Sequence, residues 1–180
     1  MKAEIFSDKK MKIRKFSKND LKNVKRFRDF INSFVEEDAQ IMANKKISLK
    51  EEEKWLKEEL EKIRKGKSVC LIAEHKGVII GTIGIDLGMW RQSHVGDFGI
   101  TIKKGYRGIG LGSYLIREII KLSKKELKPK PKIIRLNVLP TNKPAIGLYR
   151  KCGFKKVAAV PKQIQFKGKL LDEIIMILYL

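Results

Sequence analysis

The stretch KKGYRGIGLGSYLIREII, residues Lys103–Ile120, restricts the fold more than any other part of this chain. A strand-like apolar run, Val95–Lys103, precedes it, and apolar residues at helical spacing follow from Leu111. A glycine-rich turn leaves the start of the next helix uncovered, where unpaired N–H groups and the helix dipole attract anions. Because glycine also allows a close approach of the backbone, the pattern predicts a phosphate-binding turn.

The turn differs from two common phosphate-binding loops. A Walker loop ends in Gly-Lys-Ser/Thr, whereas Gly112 is followed directly by Ser113. A dinucleotide fingerprint has the spacing G-x-G-x-x-G and an acidic residue at the next strand, whereas this turn is G-x-G-x-G and Asn137 stands at that strand. The glycines alone therefore leave open whether the turn binds phosphate or is purely structural.

The remaining pattern predicts one α+β domain over residues 1–180, in the order β-α-α-β-β-β-α-β-α-β-β. Helices are expected after Ser17, from the capping box Ser48–Glu51 to Gly66, from Leu111, and from Asn142 to Gly153. The second helix is expected to present a mostly solvated face that carries Glu–Lys pairs. Residues 1–10 are expected to be a flexible or accessory segment. The predicted strands are Met11–Phe16, 68–74, 78–87, Val95–Lys103, Ile133–Leu139, Phe154–Val160 and Asp172–Leu180.

The charge of the chain is strongly positive and its acids are clustered. There are 41 Lys and Arg against 20 Asp and Glu, a formal net charge of +21, and nine of the acids fall between Glu36 and Glu61. Such an excess suits a nucleic-acid or ribosome partner, or alternatively a lysine-rich surface. The lysines are spread along the whole chain with few aromatic residues between them, which favours the surface interpretation.

The composition gives no sign of a membrane, a metal or a disulfide framework. No run of about 18 apolar residues exists, and the N-terminus lacks the apolar core of a secretory signal, so a cytoplasmic protein is expected. Cys70 and Cys152 have no metal-binding spacing and are expected to be reduced thiols.

A second motif, LNVLPTNKPAIGLYRKCGF (Leu136–Phe154), lies about 30 residues after the glycine turn. RGIGLG resembles the Arg/Gln-x-x-Gly-x-Gly/Ala acetyl-CoA loop of the GNAT superfamily of N-acetyltransferases. The second motif resembles that family's strand, Asn, short helix, Leu-Tyr and Gly-Phe signature. The resemblance covers Cys70 to Leu180, and RQSHVGDFGITI and DEIIMILYL are most similar to the branch that acetylates ribosomal-protein N-termini, polyamines and similar amines.

This resemblance implies a mixed, mostly antiparallel sheet, flanked by helices and splayed at the two strands that hold acetyl-CoA, with no metal. It implies that the Ile100–Ile102 backbone pairs with the pantetheine arm, that Arg107 lies at the rim of the pyrophosphate site, and that Asn142 touches the cofactor from the other side. Ile100 and Ile102 are equally suited to the core, and Asn142 to capping its helix. The implied cofactor-binding residues are Ile100, Thr101, Ile102, Arg107, Gly108, Ile109, Gly110, Leu111, Gly112, Ser113, Asn142 and Tyr149.

The implied reaction is direct acetyl transfer to an amine in a ternary complex. An aliphatic ammonium has a pKa of about 10.4, so the acceptor must lose a proton before it attacks. Asp97 stands where many family members carry Glu and is the candidate base; His94 is its rival. Tyr149 is the candidate general acid for the leaving thiolate. Asp97 also suits a salt bridge, and Tyr149 suits a core aromatic.

The acceptor is expected to be cationic. Glu36, Glu37 and Asp38 follow the first helix, where acids oppose the helix dipole, so they are candidates for binding a protein N-terminus, a lysine or a polyamine. A homodimer paired through the apolar terminal strand is a further expectation. The alternative is a basic nucleic-acid- or ribosome-associated module with a GNAT-like fold and no catalysis, against which the presence of both Tyr149 and Asn142 argues.

Overall fold

Eight strands form one mixed sheet in the spatial order β1-β2-β3-β4-β5-β6-β8-β7. The computed structural model describes residues 2–180. The element order confirms the α+β class, with one additional strand at the N-terminus. The strands are β1 Lys2–Phe6, β2 Lys9–Lys15, β3 Ser68–His75, β4 Val78–Leu87, β5 Val95–Ile102, β6 Ile133–Val138, β7 Lys155–Phe166 and β8 Lys169–Tyr179.

Four α-helices cover the two faces of the sheet. They are α1 Val24–Glu36, α2 Leu49–Arg64, α3 Leu111–Glu126 and α4 Lys143–Lys151. A 3₁₀ turn, Lys18–Asn23, leads into α1. None of the helices in the described part of the chain is long and apolar enough to cross a membrane.

Each face of the sheet has its own apolar cluster. On one face, α3 buries the side chains that the sequence places at helical spacing, among them Leu111, Leu115 and Ile119. On the other face, α1 and α2 bury Phe27, Phe30, Phe34 and Leu56 against the strands, and these side chains form the second apolar cluster.

β5 and β6 are the one parallel pair among the described strands, and they separate after three rungs. Val95 pairs with Ile133, Gly96 with Ile134, and Asp97 with Arg135. Beyond Asp97, β5 continues to Ile102 with only β4 beside it. The splayed sheet that the resemblance implies is therefore present.

β1 and β2 form a hairpin whose first strand packs on the start of α3. β1 pairs with β2, and the Phe6 and Tyr114 rings meet edge to face at 5.5 Å. The Tyr114 hydroxyl donates to Glu4 at 2.9 Å, and Lys9 Nζ donates to the Gly105 carbonyl at 3.2 Å. This accessory hairpin therefore contacts both the segment that leads into the glycine turn and the first turn of α3.

The terminal strand lies inside the sheet. Over Ile174–Ile177, β8 pairs with β6 on one side and with β7 on the other, so both of its hydrogen-bonding edges are occupied there. Most of the apolar stretch expected to pair across a dimer is therefore already paired within the sheet, and a homodimer stays a prediction. The free edges of the sheet belong to β1 and β7.

Candidate active site

A cavity of about 1700 Å³ opens where β5 and β6 separate. Its floor is formed by Phe98–Ile102 of β5 and by Leu136–Leu139 at the end of β6. The glycine turn and α4 line one side, and the inner faces of α1 and α2 line the other. A cleft built this way exposes backbone groups of a broken sheet next to a helix N-terminus.

The glycine turn presents a row of unpaired backbone donors. In the described chain the N–H groups of residues 107–113 make no hydrogen bond, and the next N–H, that of Tyr114, bonds to the Gly110 carbonyl at 3.1 Å. Gly108 and Gly110 have φ of 78° and 89°, the left-handed region that favours glycine. A Cβ added at Gly108 would meet nothing within 4 Å, so the space above the turn is open. Unpaired donors at a helix start, with open space beside them, fit a phosphate group.

Arg107 connects this turn to the end of α1. Its Nε donates to the Ile102 carbonyl at 2.6 Å, its guanidinium forms an ion pair with Glu37, and the same group lies 5.8 Å from the Phe34 ring centroid. A residue expected at the phosphate rim thus already has a carboxylate partner.

The β5 edge beyond the last rung is open on the side that faces β6. Ile100 and Ile102 line the cavity and also pack against the core under α3, so both roles expected for them are present. Thr101 shares a hydrogen bond with the Thr82 hydroxyl at 2.9 Å. Backbone groups on this open edge have no strand partner, as an extended amide-containing ligand requires, although the Ile102 carbonyl at its end accepts from Arg107 Nε.

Tyr149 and Asn142, both from α4, line the cavity. Tyr149 is 8% exposed and packs against Phe98 and Phe154, with ring centroids 5.9 Å away in each case. Its hydroxyl has no hydrogen-bond partner within the described residues, and burial raises the pKa of Tyr149 to about 12. Asn142 caps α4 through its side-chain carbonyl, which accepts from Ala145 N–H at 3.3 Å.

The two candidate bases have different positions. Asp97 lines the cavity, and its carboxylate binds Arg135 through two hydrogen bonds of 2.8 and 3.1 Å. This partner raises the pKa of Arg135. His94 lies before β5 and is not part of the cavity lining; its carbonyl accepts the N–H groups of Lys132 and Ile133. The structure therefore brings Asp97, but not His94, to the cleft.

The three acids Glu36, Glu37 and Asp38, at and just after the end of α1, all have cationic partners. Glu37 pairs with Arg107, and Asp38 pairs with Lys167 at 2.6 Å; both acids line the cavity. Glu36 pairs with Lys46 at 2.8 Å in a separate surface pocket.

Two groups that the sequence did not single out also line the cavity. Glu52 is 3% exposed, and no hydrogen bond or ion pair reaches its carboxyl from the described chain; burial raises the pKa of Glu52 to about 7. Gln40 Oε1 is buried and likewise has no partner there. The available signal was spacing: Glu52, Leu56 and Glu59 fall on one face of α2, so two acids of a helix expected to be solvated lie on its buried side.

The charges of the lining are separated. The free-standing cations Lys104, Lys143 and Lys151 belong to the glycine-turn and α4 side. Acids dominate the sheet face under α1 and α2, where they are Glu37, Asp38, Glu52, Glu59, Asp86 and Asp97. An anionic ligand is therefore favoured at one end of the cavity and a cationic one at the other.

Comparison with known proteins identifies the group to which this architecture belongs. The acetyltransferase (GNAT) family matches residues 31–154, which is more than half of the chain, so the protein belongs to this family. An L-amino acid N-acetyltransferase of Escherichia coli is 34% identical over 103 residues, which span 57% of this chain and 62% of that relative. The chain thus spans less than two thirds of this relative's length.

Solved structures share the fold. A GNAT-family acetyltransferase of Streptococcus pneumoniae superimposes with a TM-score of 0.79 at 24% identity, covering 94% of this chain and 99% of the other. The Salmonella typhimurium protein yncA, solved with its cofactor acetyl-CoA, superimposes with a TM-score of 0.76 at 21% identity, covering 94% and 93%.

Proposed function

We propose that this protein is an acetyl-CoA-dependent N-acetyltransferase that acts on a primary amine. The observation that carries the proposal is the glycine turn with its unpaired N–H groups at residues 107–113, next to the open edge of β5. Phosphate binding at the turn and amide pairing along the strand together suit the two ends of one long ligand. Membership of the GNAT family supports the same conclusion and favours it over a nucleic-acid-binding module without catalysis.

The chain's own groups suit the cofactor. The turn 108–113 would hold the pyrophosphate through backbone N–H groups, and the edge of Ile100–Ile102 would pair with the pantetheine amides. When bound, acetyl-CoA supplies a thioester, whose C–S bond breaks as the amine nitrogen bonds to the acetyl carbon. The open space above Gly108 supports this placement, because a side chain there would occupy it.

Two side chains would handle protons. The acceptor arrives as an ammonium and must lose a proton; Asp97 accepts it through a water, since Arg135 already engages both carboxylate oxygens. Tyr149 donates a proton to the leaving thiolate. Its raised pKa keeps the phenol protonated at neutral pH, and Tyr149 lines the cavity with no hydrogen-bond partner for its hydroxyl among the described residues. We further propose that the enzyme works in the cytoplasm.

A thiol-release assay tests the proposal. Purified protein is mixed with acetyl-CoA and a panel of primary amines, and free CoA is titrated as it forms, with mass spectrometry of the amine. We expect amine-dependent CoA release and a mass increase of one acetyl group. CoA release that does not depend on any amine, together with salt-sensitive RNA binding, would contradict the proposal.

A further inference from the structure

Two hydrogen-bond acceptors without a partner among the described residues line the same cavity. Gln40 Oε1, from the segment after α1, is fully buried, and the Glu52 carboxyl, from the first turn of α2, belongs to a residue that is 3% exposed. Neither has a hydrogen-bond partner among the described residues. Buried polar groups are nearly always paired, so two unpaired acceptors in one cavity indicate a ligand that supplies donors.

Glu59 is a buried acid of the same helix whose hydrogen-bonding and ionic partners all belong to the protein. It lies on the same face of α2, two turns after Glu52, and is equally buried. Its carboxylate accepts from the Ser68 hydroxyl at 2.5 Å and lies 3.9 Å from Lys62 Nζ. Glu52 has neither kind of partner, so its burial is not explained by the protein alone.

The other cavity acids are less available. Glu37, Asp38, Asp86 and Asp97 each form an ion pair with a lysine or arginine of the chain. Glu173 of β8 has no such pair in the described structure, but it is partly exposed and therefore hydrated. A buried carboxylate is a far stronger site for a cation than an exposed one, because competing water is excluded.

Large apolar side chains from α1, from α2 and from the segment between them line the same cavity as Glu52. Phe30 and Phe34 are buried, while Trp55 and Met42 are 50% and 76% exposed. Trp55 is three residues after Glu52 on α2, so the two side chains lie on adjacent positions of the same helix surface. Large apolar side chains that line a cavity and face solvent favour a ligand with an apolar body.

We propose that Glu52 and Gln40 bind the ammonium group of the acceptor, and that this acceptor is a primary amine with one positive charge and an apolar body. The inference rests on the proposed acetyltransferase function and narrows its substrate class. An ammonium has three N–H donors and no acceptor, which matches a carboxylate and an amide carbonyl. A polyamine would need a second buried acid without a partner, whereas the other cavity acid without an ion pair, Glu173, is partly exposed.

Steady-state kinetics with three amines test this assignment in the full chain. The amines are L-leucinamide, glycinamide, which has the same ammonium without the apolar body, and spermidine. We expect kcat/KM for leucinamide to be at least tenfold above the other two. A peptide that begins with leucine, assayed beside leucinamide, shows whether the acceptor is a free amine or a peptide N-terminus.

Variants test the residues. Glu52→Gln should raise KM for leucinamide at least tenfold and leave KM for acetyl-CoA within twofold of the wild type. Gln40→Met should also raise KM for leucinamide. Glu53→Gln is the matched control, because Glu53 is the next residue of α2, is 46% exposed and pairs with Lys57, and its replacement removes the same charge. Thermal melting checks that each variant is folded. If Glu52→Gln does not fold, the KM of Gln40→Met for leucinamide tests the assignment instead.

The outcomes separate the two proposals. No amine-dependent CoA release from the wild type would overturn the acetyltransferase function and this inference with it. Turnover with a preference for spermidine, or an unchanged KM for leucinamide in Glu52→Gln, would overturn the inference alone. If Glu53→Gln raises KM as much as Glu52→Gln does, the effect is one of net charge, and the assignment of Glu52 fails.

Discussion

Asp97 and Arg135 face each other on the last rung that joins β5 to β6, and their side chains form two hydrogen bonds of 2.8 and 3.1 Å. The strands separate immediately beyond this pair. The ion pair therefore ties the two strands together at the base of the cavity, and it also fixes the carboxylate that we propose as the base.

Replacing this carboxylate should affect turnover in a pH-dependent way. Asp97→Asn should lower kcat by tenfold or more at neutral pH, in line with the ~10²-fold or larger effects of general bases. Activity should recover in part as the pH passes the pKa of the acceptor amine, about 8 for an α-amine such as that of leucinamide and about 10.4 for a lysine-type amine, because the free amine is then already present. Stopped assays of CoA release between pH 7 and 10 measure both effects.

Two variants control this experiment. Arg135→Gln breaks the same ion pair but keeps the carboxylate, so it should retain the wild-type pH profile. His94→Gln should stay within twofold of wild type, because His94 is outside the cavity lining. A larger loss in His94→Gln than in Asp97→Asn would assign the base to His94.

The ion pair between Glu37 and Arg107 places a carboxylate beside the glycine turn. Glu37→Gln should therefore strengthen acetyl-CoA binding several-fold, since it frees Arg107 and removes a negative charge near the phosphates. Asp38→Asn is the comparison: it removes a neighbouring acid that pairs with Lys167 instead. Isothermal titration with acetyl-CoA gives both affinities, and equal changes in the two variants would rule out a specific role for Arg107.

The glycine turn can be tested without disturbing the rest of the fold. Gly110→Val introduces a branched side chain where φ is 89°, within the row of unpaired N–H groups. Gly77→Val creates a similar strain, at φ of 77°, in the β3–β4 hairpin away from the cavity. Both variants should melt below the wild type, since non-glycine residues are disfavoured in this region.

Only Gly110→Val should lose the rise in melting temperature that acetyl-CoA produces, because a ligand stabilises the native state only when it binds. Thermal melting with and without acetyl-CoA measures this difference. An acetyl-CoA concentration of about 1 mM saturates a site of micromolar affinity. A normal shift in Gly110→Val would show that the turn does not hold the cofactor.

Local patterns in the sequence predicted much of the fold, because they are set by nearby residues. Helical spacing and the capping box gave α2, and Gly110 and Gly153 stand where left-handed residues begin and end helices. The predicted cofactor strand and turn coincide with β5 and the start of α3.

Long-range partners could not be predicted this way. β1 is short, and it forms because Phe6 and Glu4 find Tyr114, more than 100 residues away. The pairing of Asp97 with Arg135 likewise depends on the register of two strands far apart in the sequence. No local pattern contains that register.

The burial of Glu52 illustrates a further limit of prediction from the sequence. The acidic run 51–53 resembles a solvated surface, and only the helical phase relative to Leu56 separates Glu52 from its neighbours. Gln40 lies in an irregular segment without periodicity, so its burial depends entirely on how α1 and α2 pack.

The phenol of Tyr149 should matter for turnover and not for cofactor affinity. Tyr149→Phe keeps the ring that packs against Phe98 and Phe154 and removes only the hydroxyl. We expect kcat to fall by roughly 10²-fold or more while acetyl-CoA affinity changes little. Tyr179→Phe, at an exposed position, makes the same chemical change away from the cavity. A kcat within twofold of wild type in Tyr149→Phe would leave Tyr149 with a packing role alone.

Glu52 should also make the stability of the fold depend on pH. Burial raises the pKa of Glu52 to about 7 from the ordinary value of 4.5. Between these values the unfolded chain has released the proton and the folded chain still holds it, so the free energy of unfolding falls as the pH rises through this window. The full loss is about 3 kcal/mol and is complete above pH 7.

Glu52→Gln removes this titration. Its free energy of unfolding, relative to wild type, should therefore increase from pH 4.5 to pH 7.5 by up to about 3 kcal/mol, since the wild type alone loses stability there. Urea denaturation at several pH values measures the difference, and Glu53→Gln is the control, because it removes the neighbouring carboxyl, which pairs with Lys57 and is 46% exposed. A constant offset between Glu52→Gln and wild type across this pH range would mean that the Glu52 carboxyl is hydrated in the folded protein, which would also remove the structural basis for assigning it to the acceptor's ammonium group.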